Sequence, residues 1–384
     1  MALSPLPQMA ERETVRITGT YALSALGRGA DALLAGVLTG TPAFAPVRRF
    51  DTTGRRVTVA ATLPDVGTLA GELTDAIDTA ARAAGLDRAG RAESALFLAT
   101  HGGPYSLPVP QGWDEPTVPA LAGHLAARCG LGGRTRIYTT ACVSASSAVA
   151  DAAALIRRGD LERVVVAAGY LVEPDQYALF DAGRALAADG AVRPFSAGRK
   201  GLLLGDGVAA VVLESAGAAA RRGAETLASV AGWGRAGDAY HACQPHPDGL
   251  GLARAVEAAL RRGGLPPDAI GYVNANATGT PFSDASEAAA LTRVFGEDAG
   301  RLPVSSTKSV HGHALEASGL LELLVTVLAL RHGKLPVTAG WLGPDPQCPL
   351  DVIRDAPRPA RTEHALTLNA AFGGADTALL VSTS

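Results

Sequence analysis

Four turns in this chain carry side chains that can do chemistry. In TTACVSASSA, Cys142 stands where a strand-like run gives way to a helical one, as the first residue of a buried helix. A thiol there meets unpaired backbone N–H groups and the positive end of the helix dipole. Both favour the thiolate, lower its pKa and make a useful nucleophile. The small neighbours Ala141, Ser144, Ala145 and Ser146 leave room for a substrate. On this segment alone, a cysteine among small residues reads more readily as core filler.

SSTKSVHGHALEASG holds Lys308, His311 and His313. A histidine beside a lysine in a buried turn stays neutral, because the cation disfavours a second charge. A neutral imidazole can donate one N–H to a developing oxyanion. The plainer role for His313 is a hydrogen bond across its own turn. The His-Gly-His spacing invites a metal, but no carboxylate or third ligand stands at suitable local spacing, so no metal site is expected. VNANATGTPFSDASE runs from a strand into a loop with Asn274, Asn276, Thr278 and Thr280. These amides and hydroxyls could bind a polar, amide-bearing arm, or serve only as turn residues. In LNAAFGGAD, Phe372-Gly373-Gly374 permits a tight turn with backbone N–H groups turned on a neighbour, or a plain glycine turn.

The elements that must position these turns alternate strand and helix, the pattern of an α/β protein. Strand-like runs are VRITGTYA, SALFLAT, RIYTTA, RVVVAAGY, GVAAVVLE, GYVNANA, LPVSST, HALTLNAA and TALLVSTS. They are mostly apolar without alternation, as sheets covered on both faces require. Helical runs are GELTDAIDTAARAAGL, SASSAVADAAALIRRG, GLARAVEAALRRGGL, SDASEAAALTRVFG and LEASGLLELLVTVLALRHG. RIYTTACVSASSAVADAAALIRRGD and LPVSSTKSVHGHALEASGLLELLVTVLALRHGK share one order of strand, Ser/Thr-rich turn and long helix. This echo reads as a duplicated unit. Both helices are apolar all round and should be buried between sheets. HACQPHPDG, at 241–249, marks the expected boundary between halves at 1–240 and 241–384.

Bulk properties set limits. The 384 residues are 47% hydrophobic and 18% charged, the composition of a packed globule. A net charge of −3 leaves no footprint for nucleic acid. Cys129, Cys142, Cys243 and Cys348 are too scattered for a disulfide framework and fit a reducing cytosol. Glu11 and Glu13, with no apolar core, argue against a signal peptide, and residues 1–13 read as a loose tail. Apolar runs such as RVVVAAGYLV are too short to span a bilayer.

Taken in order, these segments resemble the β-ketoacyl-ACP synthases, the ketosynthases of fatty acid and polyketide assembly. The likeness extends to VRITGTYALSALG, VRRFDTTG, RPFSAGRKGLLLGDGVAAVVLES and LPVTAGWLGPDPQCPLD, and STKSVHGHALEASGLLE matches the family's STKS-x-x-GH block closely. It implies a five-layered αβαβα thiolase fold of two duplicated halves, acting as a homodimer or as a heterodimer with a ketosynthase-like subunit. It implies Cys142 as the acyl-accepting nucleophile and His313 as a catalytic histidine supported by Lys308 and Glu322. The N–H groups of Cys142 and Phe372 would form an oxyanion hole. Thr278 and Thr280, with Phe372 and Gly373, would contact the substrate, and Asp284 and Glu287 would stand behind them. No bound cofactor is implied, since phosphopantetheine arrives on the acyl carrier protein or coenzyme A.

One departure matters most. The family's V-N-A-H-G-T-G-T reads V-N-A-N-A-T-G-T here, so Asn276 replaces the first catalytic histidine and Ala277 the next glycine. Ala370-Ala371 also alter the FGFGG turn. A Cys142–Asn276–His313 triad leaves three readings, in this order: decarboxylative condensation, acyl transfer without decarboxylation, and a non-catalytic partner resembling a chain-length factor. Thiolases also place Asn before His but add a second cysteine as base, and Phe372 occupies the comparable turn here. An acidic carrier calls for a basic patch, for which Arg193, Arg199 and Lys200, or Arg48 and Arg49, are candidates, unless they form an ordinary solvated face.

Overall fold

The computed structural model describes residues 14–101 and 117–383. The tail expected over residues 1–13 lies outside them. Ten strands carry the architecture. The first five are β1 (Val15–Ser24), β2 (Ala95–Thr100), β3 (Thr135–Tyr138), β4 (Arg163–Tyr170) and β5 (Gly207–Ser215). The second five are β6 (Ala228–Gly237), β7 (Tyr272–Asn274), β8 (Pro303–Ser305), β9 (His364–Ala371) and β10 (Ala375–Ser382).

The first set is ordered β3-β2-β4-β5-β1 and the second β8-β7-β9-β10-β6. In each set three parallel strands are followed by two antiparallel ones. One order is therefore the other with every strand number raised by five. The sets join through their equivalent members: β1 pairs antiparallel with β6, Val15 opposite Val230 and Ile17 opposite Ala228. The duplication read from one echo extends to the whole topology.

Seven of the helices in the described residues build the layers around the site: α1 (Leu69–Ala83), α2 (Val118–Cys129), α3 (Ser144–Arg157), α4 (Pro174–Ala182), α5 (Leu250–Gly263), α6 (Pro281–Phe295) and α7 (Ser318–His332). α1 and α2 pack with Leu96, Leu98, Val165 and Val212 on the outer face of the first sheet half. α5 and α6 pack with Val273, Leu366 and Leu380 on the outer face of the second. α3 and α7 share the large central core with residues of both sets. The result is the expected αβαβα thiolase fold.

α3 and α7 are buried because they carry no polar face. Of α7, Leu320, Leu321, Leu323, Leu324, Val325 and Val327 all face protein. Where the two helices meet, Gly319 is required: a Cβ there would lie 2.8 Å from the Ser146 nitrogen. This contact brings the N-terminal ends of both central helices, and the turns before them, to one place.

Candidate active site

Cys142 sits in a one-turn 3-10 helix, Ala141–Val143, directly before α3, and so is not the first residue of the α-helix itself. The bonds closing that turn come from the N–H groups of Val143 and Ser144, so the turn leaves the Cys142 N–H unused. Ala141, directly before the cysteine, holds φ at 48°, in the left-handed region. The thiol is buried, and burial pushes its pKa up to about 12. The charge of Glu316 adds to the rise and that of Lys308 opposes it. This corrects the expected lowering: desolvation outweighs what the turn and helix end offer an anion.

Cys142, Asn276 and His313 line one cavity of about 340 Å³, with Thr278, Thr280 and Phe372. The Asn276 loop follows β7 and is held from behind by carboxylates on α6. Glu287 Oε1 accepts from the Asn276 N–H at 2.8 Å. Asp284 accepts from Thr278 N at 3.0 Å, Gly279 N at 3.2 Å and Phe195 N at 2.9 Å. Burial raises both acids, Asp284 to about 6 and Glu287 to about 8. The Thr278 and Thr280 hydroxyls lie 3.0 Å apart.

Lys308 is fully buried and ion-paired with Glu322. Its ammonium also donates to Asn276 Oδ1 at 3.3 Å. Glu322 Oε2 accepts from Asn369 Nδ2 at 2.5 Å. Because an ammonium only donates, Lys308 fixes the Asn276 amide oxygen and leaves the NH₂ end for other partners. His313 is pushed well below its usual pKa by burial, then by Lys308 and His311. Its Nδ1 lies 2.8 Å from Ser318 Oγ, and that oxygen accepts from Ala314 N at 3.0 Å. His311 does not line the cavity; its ring meets Thr307 Oγ1 at 3.0 Å and the Gly312 carbonyl at 2.8 Å.

Phe372 is half-exposed in the β9–β10 turn, stacked on Phe180 with centroids 6.0 Å apart. Gly373, expected at the substrate, lies off the cavity lining; its N–H is given to the Ala242 carbonyl at 2.7 Å, so it serves the turn. Of the basic candidates, Lys200 reaches the cavity, where it also meets Asp189 at 3.2 Å. Arg49 is paired with Asp206 at 2.6 Å, Arg199 with Asp345 at 2.7 Å and Arg193 with Asp189 at 2.9 Å. These three hold the structure together. Arg48 lines a separate groove beside Glu173.

Sequence reading passed over several lining residues. Arg184 and Cys243 line this cavity, the latter a second cysteine from the 241–249 stretch. A second cavity, sharing Cys142, Phe180 and Phe372 with the first, is lined by His101, Gln176, Leu179 and Glu316. Only the meeting of distant loops places them there. Among the described residues no helix is long and apolar enough to cross a membrane.

The comparisons with known proteins agree with this geometry. Residues 115–219 match the Beta-ketoacyl synthase, N-terminal domain, and residues 227–341 the Beta-ketoacyl synthase, C-terminal domain. The chain is 43% identical over 245 residues to Nodulation protein E of Rhizobium leguminosarum bv. trifolii, covering 63% of this chain and 60% of that protein. It is 35% identical over 271 residues to 3-oxoacyl-[acyl-carrier-protein] synthase 2 of Staphylococcus aureus, covering 68% of this chain and 67% of that one. The match thus spans about three fifths to two thirds of these relatives' lengths. The ishigamide ketosynthase/chain length factor superposes with a TM-score of 0.90 at 28% identity, over 97% of this chain and 100% of that one. A Beta-ketoacyl synthase from Burkholderia phymatum STM815 gives 0.88 at 28% identity, over 96% and 99%. With the fold, the cavity and these likenesses in agreement, this chain belongs to the β-ketoacyl synthase family.

Proposed function

We propose that this chain takes an acyl group onto Cys142 and condenses it with a malonyl-type extender delivered on an acyl carrier protein. One observation carries the reading: Cys142, Asn276 and His313 line a single cavity with two threonine hydroxyls. In the first step the Cys142 sulfur attacks the donor thioester carbonyl. The new C–S bond forms as the old one breaks, and the Cys142 proton leaves with the pantetheine thiol. The N–H groups of Cys142 and Phe372 hold the intermediate oxyanion. In the second step the extender's pantetheine lies along Thr278 and Thr280. With the Ser318 hydroxyl donating to Nδ1, neutral His313 carries its proton on Nε2. That N–H and the Asn276 NH₂ donate to the extender's thioester oxygen while CO₂ departs. The resulting enolate carbon attacks the Cys142 thioester and expels the cysteine. Lys200 and Arg184, at the cavity, suit an acidic carrier, and a second ketosynthase-like subunit, identical or not, completes the assembly. The phosphopantetheine arrives with the carrier or coenzyme A, and the protein works in the cytoplasm.

Asn276 favours a second reading, acyl transfer without decarboxylation. An amide cannot titrate near neutral pH, and losing a matched donor costs on the order of 10²–10³ in rate. Intact mass after incubation with acyl-carrier protein tests the first step. The expected adduct disappears in Cys142→Ala; no adduct on the native chain would leave only the non-catalytic partner. Release of CO₂ from malonyl-carrier protein then separates condensation from transfer. Loading without that release, together with strong release in Asn276→His, would sink condensation as the native reaction.

A further inference from the structure

The turn before α7 repeats the turn before α3. Leu315–Ala317 is a one-turn 3-10 helix like Ala141–Val143, and Leu315 holds φ at 41° where Ala141 holds 48°. Residue by residue, Glu316 occupies in the second half the place Cys142 occupies in the first. The two face a common cavity of about 580 Å³. This cavity is not the one lined by Asn276, His313 and the threonines. The two cavities share Cys142, Phe180 and Phe372, so a group attached to Cys142 has this one open to it.

Its walls are of two kinds. Leu179 and Phe180 are apolar, whereas His101, Gln176 and Glu316 form a hydrogen-bonded row. His101 Nδ1 lies 3.3 Å from Glu316 Oε1, and His101 Nε2 lies 2.5 Å from Gln176 Nε2. Glu316 is 5% exposed, and its Oε2 has no hydrogen-bond partner among the described residues. Gln176 is 6% exposed, and the other end of its amide is likewise unpartnered. Glu316 and Cys142 line the same cavity. A plain alkyl chain would bury itself against an unsatisfied carboxylate oxygen, which is unfavourable. A chain with a donor would satisfy it.

We propose that the acyl group carried on Cys142 bears a hydrogen-bond donor, a hydroxyl or an amino group, which the Glu316 carboxylate receives. Glu316 is thus a specificity-determining residue, with His101 holding its other oxygen. The inference rests on the acyl-carrying role of Cys142 and deepens it.

The test incubates the full chain with butyryl-, 3-hydroxybutyryl- and 3-aminobutyryl-coenzyme A and follows the Cys142 adduct by intact mass. The substituted groups should load about tenfold faster than butyryl, the scale of one satisfied buried acceptor. Glu316→Ala should erase that preference and speed butyryl loading, with thermal melting used to confirm the fold. Glu316→Gln separates the two sources: it keeps the preference for hydroxyl and loses that for the ammonium. Equal loading of all three by the native chain, or an unchanged ratio in Glu316→Ala, would overturn this inference alone. If none loads while iodoacetamide still alkylates Cys142, the acyl-carrying role falls and this inference with it.

Discussion

The two halves of the molecule use one backbone for two purposes. In the first, only Thr139 and Thr140 separate β3 from the Cys142 turn. In the second, residues 306–314 intervene between β8 and the equivalent turn at Leu315–Ala317. That added segment contains Lys308 and His313. The helices that follow β2 and β7 differ as well. α2 buries Val118, Leu121, Ala122, Leu125 and Cys129, whereas α6 buries Asp284 and Glu287. At the cavity the first half supplies the nucleophile, whereas the second supplies the buried Lys308, Asp284 and Glu287. Duplication provides two turns that meet at one cavity, and divergence assigns them different work.

The comparison is broken most severely at Lys308, the only buried cation of the inserted segment. Lys308→Met leaves Glu322 charged in the core, and loss of one partner of a buried pair costs about 3–5 kcal/mol. Urea unfolding should show that loss. Lys308→Met with Glu322→Leu should regain most of it, since no uncompensated charge remains. A single variant as stable as the native chain would mean that the pair does not hold the second half together.

Most of the fold was legible because burial writes itself into composition. Nine of the ten strands and both central helices stand out as apolar runs. The strand that did not, β6, is rich in glycine for a reason visible only in three dimensions. A Cβ on Gly234 would lie 1.7 Å from the Ala255 carbonyl oxygen and one on Gly232 2.2 Å from that of Ala259, so α5 rests directly on the strand. α2 and α4 were also passed over. At the site, Cys142, Asn276 and His313 could be placed from the family's ordered motifs. Glu316, His101, Gln176 and Cys243 could not, because they come together from separate loops with no shared pattern. The thiol's raised pKa was missed for a related cause: the helix end is local and readable, while the burial opposing it comes from the assembled core.

The contrast between α2 and α6 is sharpened by pH. A glutamate in the unfolded chain ionises near ~4.3. In the folded protein Glu287 keeps its proton to about 8. Between those values the native state binds more protons, so stability falls as pH rises across the window. Glu287→Gln cannot ionise, yet its amide oxygen can still accept the Asn276 N–H. Removing one proton of linkage should flatten the slope by up to about 1.4 kcal/mol per pH unit. Asp284, held to about 6, and Asp376, held to about 8, leave a residual slope. Urea midpoints from pH 5 to 8 decide it, and an unchanged slope would show that Glu287 is ionised in the native state.

The smallest effect probes what the halves still share. Ala141 and Leu315 both hold a left-handed backbone that a side chain disfavours by roughly 1–2 kcal/mol. Glycine at Leu315 would also delete a buried side chain, so Ala141 is the cleaner position. Ala141→Gly relieves the strain but enlarges the unfolded chain's freedom, worth about 0.4–1 kcal/mol. The two terms oppose, leaving a net stabilisation within about 1 kcal/mol, read as a slightly higher urea midpoint. The same change should slow loading of Cys142, because glycine leaves the turn freer to abandon the left-handed conformation that precedes the thiol. Stability gained with loading unchanged would make the strain a relic of the duplicated turn; stability gained with loading slowed would make it part of how the nucleophile is presented.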